Sequence, residues 1–130
     1  MGLIYLDACL LIYFVEDHPR WGKEVAAVIA RTEDRFAISP LVKCECLIGP
    51  IRRNDLVTER LFHQAFAEFD ILDMPESVYL QAARLRASFG VKTPDALHLA
   101  CAQHHRCQEF WTNDGRLARA SRGLAKNVLA

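Results

Sequence analysis

The first apolar segment of the chain ends directly in an acidic residue. All four side chains of Leu3–Leu6 are apolar, as is typical of a strand covered on both faces, and Asp7 follows at once. Further short strands are predicted at Phe36–Ile38, Phe69–Leu72, Glu109–Thr112 and, at the edge, Val128–Leu129. Helical segments separate these strands. This alternation predicts an α/β fold with a central parallel sheet of four to five strands flanked by helices.

Local signals set the expected bounds of the helices. Ser39-Pro40 predicts a helix start, with serine as the N-cap and proline in the first turn, and Gly49-Pro50 predicts the end of that helix. Asp73 and Glu76 have the spacing of a capping box, and Gly90 is expected to close the helix that follows them. The predicted helices are Ala8–Val15, Trp21–Arg31, Pro40–Ile48, Asp55–Phe69, Val78–Phe89, Asp95–His105 and a short one beginning at Asp114.

Composition limits the class of protein. The chain has 130 residues, which fits one domain over residues 1–130, and 52% hydrophobic residues supply a packed core. Sixteen basic and sixteen acidic side chains cancel, which excludes a global positive field but allows a local basic patch. The apolar stretch Gly2–Val15 is too short to span a bilayer, and five cysteines favour reduced thiols over a disulfide scaffold. We therefore expect a cytoplasmic protein with no membrane contact.

Four acidic residues occupy positions that a parallel sheet would bring together. Asp7 and Asp114 follow strands, Glu45 lies one turn into a helix, and Asp95 lies in the first turn of another. Ligands of open α/β sheets bind at the carboxyl ends of the strands, where the strand order reverses. Each acid also has a structural interpretation as a helix cap, a helix-dipole partner or an exposed helix residue. The apolar residues around Glu45 and after Asp95 favour the functional interpretation, since acids are rarely buried without a partner.

Carboxylates that share one basin need a counter-charge. Two like charges about 4 Å apart repel by roughly 4 kcal/mol at an effective dielectric constant of 20. A hard cation such as Mg²⁺ prefers oxygen ligands, and it usually keeps waters and binds substrate phosphate as well. Such a site fits phosphodiester hydrolysis, in which the metal orients the phosphate, activates water and stabilises the leaving oxygen.

Four motifs, in order and at family-like spacing, resemble those of a PIN-domain ribonuclease, specifically the VapC-type toxin of a VapBC toxin–antitoxin pair. They are Tyr5–Tyr13, Ser39–Glu45, Lys92–Ala100 and Trp111–Asp114, and the resemblance extends over almost the whole chain. It implies an acidic metal pocket, endonucleolytic cleavage of RNA, a homodimer and a small VapB-type antitoxin whose tail blocks the pocket.

The resemblance also assigns roles to residues. Asp7, Glu45, Asp95 and Asp114 would form the acidic quartet. Asp7 and Asp95 would bind Mg²⁺, for which Mn²⁺ can substitute, and Glu45 and Asp114 would complete the shell directly or through water. Thr112 would position the last acid. The chain departs from many relatives at Ala8 and Cys9, where a serine or threonine commonly follows the first aspartate.

Basic residues near the acids are candidates for RNA binding. Lys43 and Lys92 flank acidic positions, and Arg116 and Arg119 belong to a segment after Asp114 that has no acidic residue. This segment suits either an RNA backbone or an acidic patch on a partner. His98 lies three residues after Asp95 on an apolar helix, so we expect a structural histidine with satisfied hydrogen bonds, with a general base as the alternative. The aromatic residues of the Asp55–Phe69 helix are expected in the core or in a dimer interface.

Two other function classes remain open on the sequence alone. An acid-dependent phosphotransfer domain, of phosphatase or receiver type, would use Asp7 as the phosphorylated residue. A phosphatase of that type has a second aspartate two residues later, where this chain has Cys9, and a receiver domain has an acidic pair before the first aspartate. The other alternative is a non-catalytic metal-binding interaction module. The sequence does not distinguish a transfer RNA from a ribosomal RNA target, since both expose single-stranded loops.

Overall fold

The sheet has five parallel strands in the order β3-β2-β1-β4-β5. The structure, a computed structural model, describes residues 2–129. The strands are β1 (Leu3–Leu6), β2 (Arg35–Ile38), β3 (Asp70–Ile71), β4 (Glu109–Thr112) and β5 (Ala125–Asn127). The α/β fold with a central parallel sheet is therefore confirmed.

Seven helices connect the strands in the described residues. They are α1 (Ala8–Val15), α2 (Gly22–Arg31), α3 (Pro40–Arg52), α4 (Leu56–Phe66), α5 (Glu76–Phe89), α6 (Thr93–His104) and α7 (Leu117–Ser121). Helix α1 packs against α2, α3 and α4, whereas α5 packs against α6 and α7. Within residues 2–129, no helix combines the length and the apolar composition that crossing a bilayer requires.

The central strand β1 explains why the chain begins with an unbroken apolar run. Successive side chains of a strand point to opposite faces of the sheet. Ile4, Tyr5 and Leu6 are nevertheless all buried, at 2%, 0% and 0% exposure. Both faces of β1 are therefore covered, which an alternating pattern of polar and apolar residues would not permit.

The predicted end of α3 at Gly49-Pro50 is wrong, because the helix continues to Arg52. Proline lacks the N–H that would bond to the carbonyl four residues earlier, so it forfeits one helical hydrogen bond. Pro50 is however buried together with Val42 and Cys46, at a spacing of four residues along one helix face. Packing of this face outweighs the lost bond. The start of α3 is as predicted, since the Ser39 hydroxyl accepts a hydrogen bond from the Val42 amide at 3.3 Å.

Three further local predictions are also corrected. Pro75, and not Asp73, is the N-cap of α5, and no capping box forms, although Gly90 closes this helix with a φ of 70° as predicted. The last helix begins at Leu117, because Asp114 and the two residues after it form a turn. The fifth strand is Ala125–Asn127 and not Val128–Leu129, because the earlier segment pairs with β4.

The aromatic residues of α4 belong to the core. Phe62 and Phe66 are 0% and 5% exposed, so they are not available to a dimer interface. The exposed apolar side chains of this helix are Leu56, Val57 and Leu61. Helix α4 therefore packs its aromatic residues into the core and exposes aliphatic residues to solvent.

The strand order reverses at β1. The chain moves outward from β1 to β2 and β3, and then returns to the other side of β1 to form β4 and β5. The carboxyl ends of β1 and β4 therefore lie side by side at the reversal, where α/β folds bind their ligands.

Candidate metal centre

A cleft of about 640 Å³ opens at the carboxyl ends of β1 and β4. Its lining includes all four acids singled out in the sequence, from four different parts of the chain: Asp7, Glu45, Asp95 and Asp114. Thr112, Lys92 and Arg116 also line it. The topology therefore brings together acidic side chains that are distant in the sequence.

Asp7 has an N-cap position but not the usual role of an N-cap. It precedes α1 with an extended backbone, and its side chain makes no capping hydrogen bond. Its Oδ2 instead accepts a hydrogen bond of 2.8 Å from the hydroxyl of Thr112, a residue that is 1% exposed. Since Thr112 ends the neighbouring strand β4, this bond fixes one Asp7 oxygen at the carboxyl ends of the two central strands.

Glu45 reaches the same place from α3. Its Oε1 lies 2.5 Å from Nε2 of His98, and that nitrogen lies 4.0 Å from Oδ1 of Asp7. One ligand-type atom of each residue falls within 4.8 Å of the others, and in residues 2–129 this is the one group of three such side chains at this spacing. The geometry is thus tight enough for Asp7 and Glu45 to share a single ion.

Among the described residues, the Asp95 carboxylate has no basic side chain in ion-pair contact. It lies half-buried in the first turn of α6. Burial raises the pKa of Asp95 above its ordinary value, and the carboxylates of Asp7 and Asp114 raise it further. Within residues 2–129, no lysine or arginine nitrogen lies within 4.0 Å of a carboxylate oxygen of Asp7, Glu45 or Asp95. Three acids therefore share this part of the cleft without a lysine or arginine ion pair among the described residues.

Asp114 has a different environment. Its Oδ2 accepts a hydrogen bond of 2.8 Å from Nη2 of Arg116, and its Oδ1 accepts bonds from the backbone amide and Nε of the same residue at 2.9 and 3.0 Å. These bonds hold the pKa of Asp114 below its usual range. Asp114 thus stays ionised at the rim of the cleft and carries an exposed guanidinium beside it.

The donor set fits a hard divalent cation. The carboxylates of Asp7, Glu45 and Asp95 offer oxygen atoms, and the open cleft has room for the waters that Mg²⁺ keeps and for a substrate phosphate. Cys9 also lines the cleft, but burial and the nearby Asp7 raise the pKa of its thiol to about 12. It is therefore a neutral thiol, and the donor chemistry of the site is that of oxygen.

The four basic residues predicted to bind RNA separate into two pairs. Lys92 and Arg116 line the cleft. Lys43 does not line the cleft. It lies on α3, and its Nζ is 5.7 Å from the centre of the Phe66 ring of α4. Arg119 is exposed on α7 and is also outside the cleft lining.

Sequence reasoning missed the hydroxyl groups of Tyr5 and Ser39 as supports behind the site. The hydroxyl of Tyr5 lies 2.7 Å from the Ser39 hydroxyl and 2.6 Å from Nδ1 of His98. The expectation for His98 was correct in that the residue is 1% exposed and has a partner on each ring nitrogen. The spacing of His98 from Asp95 was the available signal. Tyr5 gave none, because it stands in an apolar strand.

Fold and site together define a class: an α/β protein with an acidic cleft at the reversal of strand order, with a donor set that fits a divalent cation. The family comparison is specific. Residues 4–123 match the family model of the PIN domain, so the chain belongs to the PIN domain family, as its motifs predicted. No curated protein matches the sequence.

Solved structures share the fold over nearly the whole chain. A chain of a toxin–antitoxin complex from Klebsiella pneumoniae is 22% identical with a TM-score of 0.80, and the match covers 96% of this chain and 97% of that chain. A chain of VapBC2 from Rickettsia felis, bound to a DNA fragment from its promoter, is 17% identical with a TM-score of 0.78, and the match covers 96% of this chain and 98% of that chain. VapC20 of Mycobacterium tuberculosis, described as a toxin that cleaves the sarcin–ricin loop, is 14% identical with a TM-score of 0.78, and the match covers 90% of this chain and 94% of that chain.

Proposed function

We propose that this protein, with residues 1–130 as one domain, is a Mg²⁺-dependent endoribonuclease and the toxin of a type II toxin–antitoxin pair. The observation that carries the proposal is the set of carboxylates of Asp7, Glu45 and Asp95, which line one cleft without a lysine or arginine within 4.0 Å. Clustered acids of this kind are costly unless a cation is shared among them. Membership of the PIN domain family supports nuclease chemistry in particular.

The site residues have distinct proposed roles. Asp7 and Asp95 bind the metal, Glu45 and Asp114 complete its shell directly or through water, and Mn²⁺ can replace Mg²⁺. Thr112 holds Asp7 in place through its hydroxyl. A cation bound here supplies charge neutralisation for the phosphate and activation of water.

The lining of the cleft also suits the binding of a nucleic-acid substrate. Lys92 and Arg116 stand among its lining residues, and both can contact a phosphate beside the acids. The cleft lies open at the surface, so it suits a single-stranded segment or a loop of transfer or ribosomal RNA. The sarcin–ricin loop, which VapC20 is described as cleaving, is an example of such a target in a protein of the same fold.

The proposed partners are a VapB-type antitoxin and a second copy of the chain, in the cytoplasm. Several of the structures with this fold are toxin–antitoxin complexes. Helices α3 and α4 also present exposed apolar side chains that a partner could cover: Ile48, Ile51, Leu56, Val57 and Leu61.

Cleavage of RNA by the purified chain tests the proposal. We expect endonucleolytic products with Mg²⁺ or Mn²⁺, none with a chelator, and none from Asp7→Asn or Asp95→Asn. Glu33→Gln is a suitable control, because Glu33 is exposed and precedes the amino end of β2, at the opposite edge of the sheet. Cleavage that persists in the aspartate variants without metal would contradict the proposal. Sequencing of cellular RNA ends after brief induction of this protein then identifies the target RNA.

A further inference from the structure

A buried row of polar side chains leads from the sheet to Glu45. It runs from Ser39 through Tyr5 to His98, and these three side chains are 0%, 0% and 1% exposed. The row crosses three elements, because Ser39 begins α3, Tyr5 lies in β1 and His98 lies in α6. Its last bond, from His98 to Glu45, reaches the candidate metal centre.

The donors and acceptors of this row form one consistent series. A carboxylate oxygen of Glu45 accepts from Nε2–H of His98, and in that tautomer Nδ1 of His98 accepts from the Tyr5 hydroxyl. In this assignment the Tyr5 oxygen accepts from Ser39, whose oxygen accepts from the Val42 amide. Among the described residues, no buried side-chain nitrogen or oxygen lacks a partner, which agrees with this assignment.

We propose that His98 is a positioning residue for Glu45 and is itself held by Tyr5 and Ser39. The inference rests on the proposed function. Because Nε2 of His98 carries the proton that it donates to Glu45, it has no free lone pair for a metal, although it lies close enough to the acids to suggest a ligand. Its bond to Oε1 instead restrains the long Glu45 side chain and leaves Oε2 for the cation.

The placement of His98 on α6 strengthens the argument. His98 and Asp95 are three residues apart and share one helix face. A single rigid helix therefore sets the position of Asp95 directly and of Glu45 through the histidine. The Tyr5 hydroxyl is fully buried and has both Ser39 and His98 as partners, so the bond to Nδ1 holds the ring of His98 from a rigid position in the sheet.

The affinity of the purified protein for Mn²⁺, measured by electron paramagnetic resonance, tests the proposal without using catalysis. Outer partners of metal ligands typically change metal affinity by about 10- to 100-fold, and we expect a loss in this range for His98→Leu. His98→Gln should recover most of the affinity, because its amide nitrogen can donate from nearly the position of Nε2. His104→Leu, on the exposed part of the same helix, is the matched control and should bind as the wild type does.

Two further variants keep the test decisive if His98→Leu folds poorly. Tyr5→Phe removes one hydroxyl and should weaken Mn²⁺ binding. When Glu45→Ala is already present, adding His98→Leu or Tyr5→Phe should cause no further loss of Mn²⁺ affinity. Wild-type affinity in both His98→Leu and Tyr5→Phe would overturn the proposal. So would an equal, complete loss in His98→Leu and His98→Gln with Tyr5→Phe unaffected, since that pattern identifies a ligand. A wild-type protein that binds no Mn²⁺ in the cleft would instead overturn the proposed function together with this inference.

Discussion

Thr112 and Asp7 are 105 residues apart in the sequence and are joined by a hydrogen bond of 2.8 Å at the carboxyl ends of adjacent strands. The same threonine oxygen accepts a bond of 3.1 Å from the amide of Asp114. One buried hydroxyl thus connects the first and last acids of the cleft. The register of β1 against β4 is what sets their separation, since Leu6 is paired with Trp111.

Thr112→Val should lower RNA cleavage by roughly 10-fold or more, which is the usual scale for losing an outer partner of a metal ligand. Valine has nearly the same shape as threonine, but it cannot donate to Asp7 or accept from Asp114. The measurement is the single-turnover cleavage rate at saturating Mg²⁺. Thr112→Ser keeps the hydroxyl and should retain most of the rate, and equal losses in the two variants would contradict a role for the hydrogen bonds.

Asp95→Asn should raise the melting temperature of the metal-free protein at neutral pH. The folded-state pKa of Asp95 is raised by burial and by neighbouring carboxylates. The protonated form of Asp95 therefore favours folding at low pH, and this contribution is lost as the pH rises through the folded-state pKa. At pH 7 the ionised aspartate opposes folding, and the neutral amide removes that cost.

The measurement is thermal unfolding in a chelator as a function of pH. The advantage of Asp95→Asn should shrink as the pH falls through the folded-state pKa of Asp95, and it should be gone below about pH 4, where aspartate is protonated in the unfolded chain as well. Glu33→Gln should show no comparable gain at neutral pH, because Glu33 is exposed and outside the cleft. A less stable Asp95→Asn protein at pH 7 would show that Asp95 has a stabilising partner in the folded state, contrary to the charge balance described above.

Arg116→Ala should weaken binding of RNA more than it slows cleavage. The guanidinium lies exposed at the rim of the cleft, where it pairs with Asp114 and can reach a phosphate. We expect the KM for RNA to rise several-fold and the slope of log affinity against log salt to fall by about 1, as for one lost phosphate contact. Arg84→Ala, on the exposed face of α5, is the control. An unchanged KM and salt slope would remove Arg116 from the RNA-binding surface.

Acids that follow strands could be placed from the sequence, because the parallel sheet itself brings the ends of its strands together. Asp7 and Asp114 come directly after or close to the ends of β1 and β4, and these strands are neighbours. Glu45 and Asp95 followed from helix starts at Ser39 and Thr93-Pro94, which local capping rules identify well. The convergence of the four acids was therefore a consequence of topology and of two helix registers.

The remaining features depend on contacts between side chains of distant elements. The turn of Asp114 towards Arg116 and the bond of His98 to Glu45 each depend on a choice of rotamer, and no periodicity records such a choice. Pro50 shows the reverse case, in which a strong local stop signal was overruled by burial against the core. Local sequence rules were reliable for features that the backbone determines, and they failed for features that depend on packing between distant elements.

The most direct test of the shared-cation account is a crystal structure of the protein grown with Mn²⁺ and measured at the manganese absorption edge. We expect one or two anomalous peaks in the cleft, with oxygens of Asp7 and Asp95 as ligands and Glu45 bound directly or through a water. Divalent ions of this kind lie about 2.0–2.2 Å from such oxygens. The account would be contradicted by a structure in which Mn²⁺ binds outside the cleft and lysine or arginine side chains pair with the cleft carboxylates instead.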